Sequence, residues 1–145
     1  MGLPVRNDDG STLPLTIFFG LLSIVLVFLV IAATSLYLER KRLFTLADGA
    51  ALVGAEAFTL DAVGLTASGY RPTLTSTDVA AAVSGYLASA PTAKFTDLRL
   101  ERAVSLDGRS ATVELSAYWT PPVLTVFVPD GLRIEVTAVA RSVFS

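Results

Sequence analysis

Residues 13–38 carry no charge, and the run IFFGLLSIVLVFLVIAA within them is built largely from Leu, Ile, Val and Phe. At about 1.5 Å per residue such a helix runs roughly 39 Å, more than the ~30 Å hydrocarbon layer, which predicts a tilted transmembrane helix. Pro14 lies near the start, where its missing N–H leaves no helical bond unmade, and Ser11 or Thr12 is placed to cap the first turn. A secretory signal peptide has a shorter apolar region, about 7–15 residues, behind a basic segment. Here the single Arg6 is offset by Asp8 and Asp9.

Helical spacing continues past the apolar run. Leu43, Leu46, Ala47, Ala50, Val53 and Ala57 recur at intervals of three and four in a segment without Pro, extending the helix to about Phe58. Ala47, Ala50, Ala51, Gly54, Ala55 and Ala57 would let another backbone approach closely, either the chain's own sheet or a helix of another subunit. Gly49 and Gly54 each weaken a helix interior by about 1 kcal/mol relative to Ala, so a bend is expected there. Asp48 reads as a surface or salt-bridged carboxylate.

Residues 61–75, with Gly64, Gly69 and Pro72, read as a loop. Ser76 or Thr77 then caps a second helix, with Asp78 in its first turn and Pro91 at its stop. Beyond Pro91 the period becomes two. Residues 95–104 set Leu98, Leu100 and Val104 against Asp97, Arg99 and Glu101, and Asp107-Gly108 supplies a tight turn. Residues 111–119 then alternate Val113, Leu115, Ala117 and Trp119 with Thr112, Glu114, Ser116 and Tyr118. After Pro121-Pro122 and the turn Pro129-Asp130-Gly131, residues 132–143 alternate Leu132, Ile134, Val136, Ala138 and Ala140 with Arg133, Glu135, Thr137 and Arg141. The result is a three-stranded antiparallel sheet, four-stranded if residues 123–128 also pair. Its apolar face needs a lid, which the outer half of the first helix and the second helix provide. The fold class is α+β: residues 1–12 a short leader or tail, 13–38 a transmembrane helix, and 39–145 the folded domain.

Composition narrows the chemistry. With no histidine and no cysteine there is no imidazole base, disulfide, thiolate zinc site or cysteine nucleophile. Ser11 and Ser110 have no histidine to activate them, Asp8-Asp9 precede the membrane, and Asp48, Glu56 and Asp61 are strung along a helix or its end. Phosphate-binding glycine patterns are missing from the sequence. Trp119 beside Tyr118 and Pro121-Pro122 reads as a buried core aromatic rather than a ligand platform. A net charge of −2 provides no basic field for nucleic acid. The chain therefore reads as non-catalytic, with no cofactor, metal or small-molecule substrate, and its partners are the membrane and other proteins.

Two stretches carry a resemblance: DDGSTLPLTIFFGLL at residues 8–22 and YLERKRLFTLADGAALVGAEAF at residues 37–58. Together they resemble the tight-adherence (Flp-type) pilus-assembly family, the TadE/TadG-like group. In that group an apolar helix is followed by an Arg-rich flank and an Ala-rich run of LQ-x-A-A-D-A-A-A-L-A-G-A type. This chain has Phe44 where glutamine is usual, and Leu46 and Gly49 where alanine is common. The resemblance implies a pilin-like plan, with the N-terminus cytoplasmic and the C-terminal domain extracytoplasmic. Counting Arg40, Lys41 and Arg42 against Arg6 gives the opposite orientation, but those bases can snorkel toward headgroups and a folded domain can be translocated past them. The implied role is a minor pilin-like or pseudopilin-like component of a tight-adherence pilus or related secretion apparatus. It would work by helix packing along Leu43, Leu46, Ala47, Ala50, Val53 and Ala57, and by contacts of the outer domain. A bitopic scaffold or regulatory protein that binds another envelope protein through its last strand is the alternative. Prepilin-like processing in the family would place a cut at Gly10-Ser11. Leu15 stands where the usual signal has glutamate, so the uncleaved, permanently anchored form is expected.

Overall fold

A computed structural model describes residues 12–58, 63–66, 69–122, 125 and 129–141. Helix α1 (Leu13–Ala55) is continuous through the apolar run and the Ala-rich run, starts from Thr12 with Pro14 in its first turn, and closes on Glu56. Within the apolar part, the hydroxyls of Thr16 and Ser23 donate to the carbonyls of Thr12 and Phe19 at 3.0 and 2.8 Å. These side-chain hydroxyls thus need no water, as a helix in lipid requires. The segment read as a loop contains a two-stranded antiparallel hairpin, β1 (Val63–Thr66) and β2 (Gly69–Pro72), in the register Val63↔Pro72 to Thr66↔Gly69. Pro72 ends an edge strand, where a missing N–H breaks no interior ladder, so a breaker residue and a strand coexist.

Helix α2 (Ser76–Ser89) is capped one residue earlier than the sequence suggested. Thr75 Oγ1 accepts the Asp78 N–H at 3.2 Å and donates to the Asp78 carboxylate at 2.6 Å. Ser76 instead bonds the backbone of Ser105, accepting its N–H and donating to its carbonyl, both at 3.1 Å. A 3₁₀ turn at Thr92–Lys94 leads into β3 (Thr96–Val104), β4 (Ser110–Trp119) and β5 (Leu132–Arg141), a meander with β4 in the centre.

Two details of the meander depart from simple alternation. Strand β3 holds one extra residue relative to β4 between Thr96 and Arg99, where Asp97 adopts φ +49°, and another between Leu100 and Arg102. Each bulge reverses the side-chain phase. Leu98 and Leu100 still reach the core, but Ala103, rather than Val104, is the buried residue at the end of the strand. The Asp107-Gly108 turn is also wider than a two-residue hairpin. Asp107 Oδ1 accepts the N–H groups of Arg109 and Ser110 at 2.9 and 2.7 Å and the Ser110 hydroxyl at 2.7 Å. Gly108 sits at φ +67° with its carbonyl accepting the Leu74 N–H. A side chain that takes up loop donors itself competes with the tight-turn pairing.

Those three donors, the Arg109 N–H foremost, hold the Asp107 carboxyl at about 2, below its ordinary 3.8. A depressed acid stabilises the fold above its unfolded value and loses that contribution as pH falls from about 4 toward 2. Asp107→Asn, which keeps one acceptor oxygen but cannot titrate, should flatten the fall in melting temperature across this window. An unchanged fall in the variant would assign the acid sensitivity elsewhere.

The core lies between the outer half of α1, β4 and β5, with α2 packed on α1 and β3. Val79 and Val83 of α2, Val113 and Leu115 of β4, and Leu43 of α1 are all fully buried. Leu132, expected on the inner face of β5, is 51% exposed because it stands at the strand's first position, at the rim of the core.

Candidate functional site

The residues that distinguish α1 fall into two sets along one rod. Leu13 to Ile31 are exposed throughout, with a mean hydropathy of 3.0 over an 18-residue window of which none is buried. This is a candidate membrane span by length and composition. Ala32 is the first residue covered by the domain, followed by Ser35 and Leu36. Thus the last part of the uncharged run 13–38 lies beside the sheet rather than free of it. The link there is specific: the indole Nε1 of Trp119 donates to Ser35 Oγ at 3.1 Å, and Trp119 is buried as a core aromatic.

Beyond Leu36 the helix is stitched to the sheet. Leu43, Leu46, Ala47 and Ala50 are buried, together with Ala51, Gly54 and Ala55, on a helix that packs on β4, β5 and α2. Four of the predicted packing residues are therefore covered by the chain's own domain, while Val53 is 38% exposed and Ala57 is partly buried at the helix end. A three-and-four period reads the same whether the partner is a sheet or a second helix, which is why spacing alone left both open. Small side chains bring the layers close. A Cβ built on Gly54 would stand 3.2 Å from Ala111, Val79 and Val83, so α1, α2 and β4 meet there. Asp48 is exposed, on the side away from this seam. The large apolar side chains α1 leaves in solvent outside the candidate span are Tyr37, Leu38, Phe44, Leu52 and Val53. Gly10 and Ser11, the processing candidates, lie outside the described residues.

The outer face of the sheet carries a network that the alternation did not reveal. Ser116, fully buried although it points away from α1, donates to Glu101 at 2.6 Å and accepts from Arg133 at 2.6 Å. Arg133 also pairs with Glu101 and lies over the Tyr118 ring, 5.6 Å from its centroid. The Ser116 hydroxyl first, then Arg133, hold the Glu101 carboxyl below its usual range. Arg102 and Glu114 form a neighbouring pair across β3 and β4. Glu101 and Glu114 each have a cation in the same face, and the Glu101 network fastens the three strands together. Three or more His, Cys, Asp or Glu side chains do not converge on a metal-sized site among the described residues.

Residues 10–57 match the family model described as Flp pilus-assembly TadE/G-like. No curated protein and no solved structure matches the chain. The matched segment takes in α1 and its cap and stops before the sheet. It supports a role in pilus assembly, generally a structural rather than catalytic task, and association with the membrane through the apolar helix.

Proposed function

We propose that this chain is a non-catalytic, minor pilin-like or pseudopilin-like component of a tight-adherence (Flp-type) pilus or related secretion apparatus. It is anchored by the first half of α1, with its N-terminus cytoplasmic and the domain outside. The observation that carries the reading is the single unbroken helix Leu13–Ala55, apolar and exposed in its first half and built into an α+β domain in its second. That helix coincides with the matched residues 10–57. A subunit that works by packing needs a rod that fixes domain to anchor without a linker, and α1 has that form. Since Leu43, Leu46, Ala47 and Ala50 are used internally, contact with other pilin-like subunits falls to the span and to Phe44, Leu52 and Val53. The leader up to Gly10 is retained, because Leu15 lacks the carboxylate of a pilin-type signal.

An in-frame deletion should abolish or sharply reduce surface fibres, with restoration by the intact gene; normal fibres and adherence in the deletion would overturn the proposal. Mass spectrometry of the native N-terminus, paired with protease accessibility of the domain in intact cells, tests anchoring and orientation. A mature chain beginning at Ser11 would refute the retained leader, and a protected domain would refute the orientation.

One observation favours a second reading, a bitopic scaffold that binds an envelope protein by strand addition. Strand β5 is an edge of the three-stranded sheet and Val139 on it is 62% exposed. Crosslinks in cells from Phe44, Leu52 and Val53 would support bundled subunits, whereas crosslinks confined to residues 132–141 would support edge recognition.

A further inference from the structure

Where α1 leaves its exposed apolar stretch, an open groove runs between the helix and the β5 edge. Its lower part lies between Ala33 and Arg133 and its upper part between Lys41 and Thr137, with Tyr37, Arg40 and the carboxylate of Glu135 common to both. The two parts hold about 450 and about 540 Å³, within the range of small-ligand sites. The charge in the groove is unbalanced. Arg133 is engaged with Glu101 and, at 3.9 Å, with Glu135. Among the described residues neither Arg40 nor Lys41 pairs with a carboxylate, whereas their neighbour Arg42 pairs with Glu39 at 3.6 Å.

The axial position of these two cations is set by the helix. Leu13 to Ile31 spans about 28 Å of helix, close to the ~30 Å hydrocarbon layer, and the domain begins to cover α1 at the next residue. Arg40 lies about 13 Å farther along the axis, and its long side chain leans back toward the helix N-terminus, that is, toward the bilayer. Its guanidinium therefore comes down to the headgroup layer, which adds roughly 5–7 Å on each side of the hydrocarbon. Tyr37, 65% exposed one turn nearer the membrane, has the apolar body and polar tip of an interfacial anchor.

We infer that this groove is a seat for the headgroup of an anionic phospholipid, with Arg40 and Lys41 on the phosphate and Tyr37 at the glycerol level. The inference rests on the proposal that α1 spans a membrane. Because α1 continues into the domain without a linker and Trp119 ties the sheet to Ser35, a lipid held there would fix the domain's tilt on the membrane.

The test uses the full chain reconstituted in vesicles of phosphatidylcholine alone or in an equal mixture with phosphatidylglycerol. Trp119 is the chain's only tryptophan and sits at this end of the domain, so its quenching by spin-labelled lipid gives the relative association of the two headgroups. The wild type should prefer phosphatidylglycerol. Lys41→Gln should lower the preference about fivefold and the double variant Arg40→Gln/Lys41→Gln about thirtyfold, while Arg42→Gln should leave it nearly unchanged. Equal quenching by both lipids, or an unchanged preference in the double variant, would overturn the inference. Loss of preference on adding inorganic phosphate alone would also overturn it, by showing a free-phosphate site. Flotation separates this from the underlying reading: a chain that floats with vesicles without headgroup preference keeps its anchor and loses the lipid seat. A chain that fails to float loses both.

Discussion

Gly54→Leu should cost the domain about 1–3 kcal/mol or more, a loss of cooperative thermal stability in the outer domain rather than in the apolar half of α1. The reason is the triple contact at this position. A Cβ alone would meet the side chains of Ala111, Val79 and Val83 at 3.2 Å, one from β4 and two from α2. Three side chains from two elements would each have to give by a few tenths of an ångström for alanine, and leucine adds three more carbons at the same crowded point. Against this stands the gain of about 1 kcal/mol from replacing glycine in a helix interior, which makes Gly54→Ala close to neutral and leaves Gly54→Leu clearly destabilising. At about 4–8 °C per kcal/mol for a domain near 100 residues, the drop is large enough to read by near-ultraviolet circular dichroism. Gly20 is the matched control, since nothing lies within 4 Å of a Cβ built there and it belongs to the exposed half of the same helix. A Gly54→Leu chain that melts with the wild type would mean that α1, α2 and β4 do not meet as described.

What the sequence disclosed, and what it did not, follows from the range of the interactions involved. The apolar run and the alternation in β4 and β5 are local signals, because a span is defined by hydropathy along one helix and a half-buried strand by its period of two. Every inner residue predicted for β4 is buried, and four of the five predicted for β5. In β3 the alternation fails after Leu100 because a bulge is decided by the partner strand: nothing near Glu101 or Arg102 announces that β4 will oppose them with one residue fewer. Thr75 was missed as a cap for a comparable reason. Three hydroxyl residues in a row compete for the same role, and Ser76 is drawn away by the backbone of Ser105, 29 positions distant. The Glu101–Ser116–Arg133 network was likewise hidden, since it draws one member from each of three strands. For the candidate site, the helical face from Leu43 to Ala50 was legible as a packing face but not as an internal one. That distinction depends on where the sheet folds back, and the lipid groove depends on it as well, because Arg40 and Lys41 acquire a groove only when β5 lies beside them.

Trp119→Ala should destabilise the domain by about 3–5 kcal/mol, the usual cost of removing a buried large aromatic. The site gives this loss a direction. Trp119 ends β4 at the point where α1 passes from its exposed stretch into the domain, and its indole is the polar bond between the sheet and Ser35. Without the ring the seam should open from this end first, while Leu43, Ala47 and Ala50 remain packed farther along. Trp119→Phe keeps most of the apolar area and removes only the N–H, and should cost about 0.5–1.5 kcal/mol beyond the small change in volume. Ser35→Ala removes the same bond from the other side, so the double variant Trp119→Phe/Ser35→Ala should cost less than the sum of the two singles. Local opening can be read directly because the chain contains no cysteine: Ser35→Cys supplies a unique thiol on the protected side of the helix. Its labelling by a water-soluble maleimide should be slow when Trp119 is present and several times faster with Trp119→Ala, under conditions where far-ultraviolet circular dichroism still reports a folded domain. Equal labelling rates would mean that the indole does not hold the membrane-proximal end of the seam, and the rigid coupling of anchor to domain would then have to rest on Leu43 and the alanines alone.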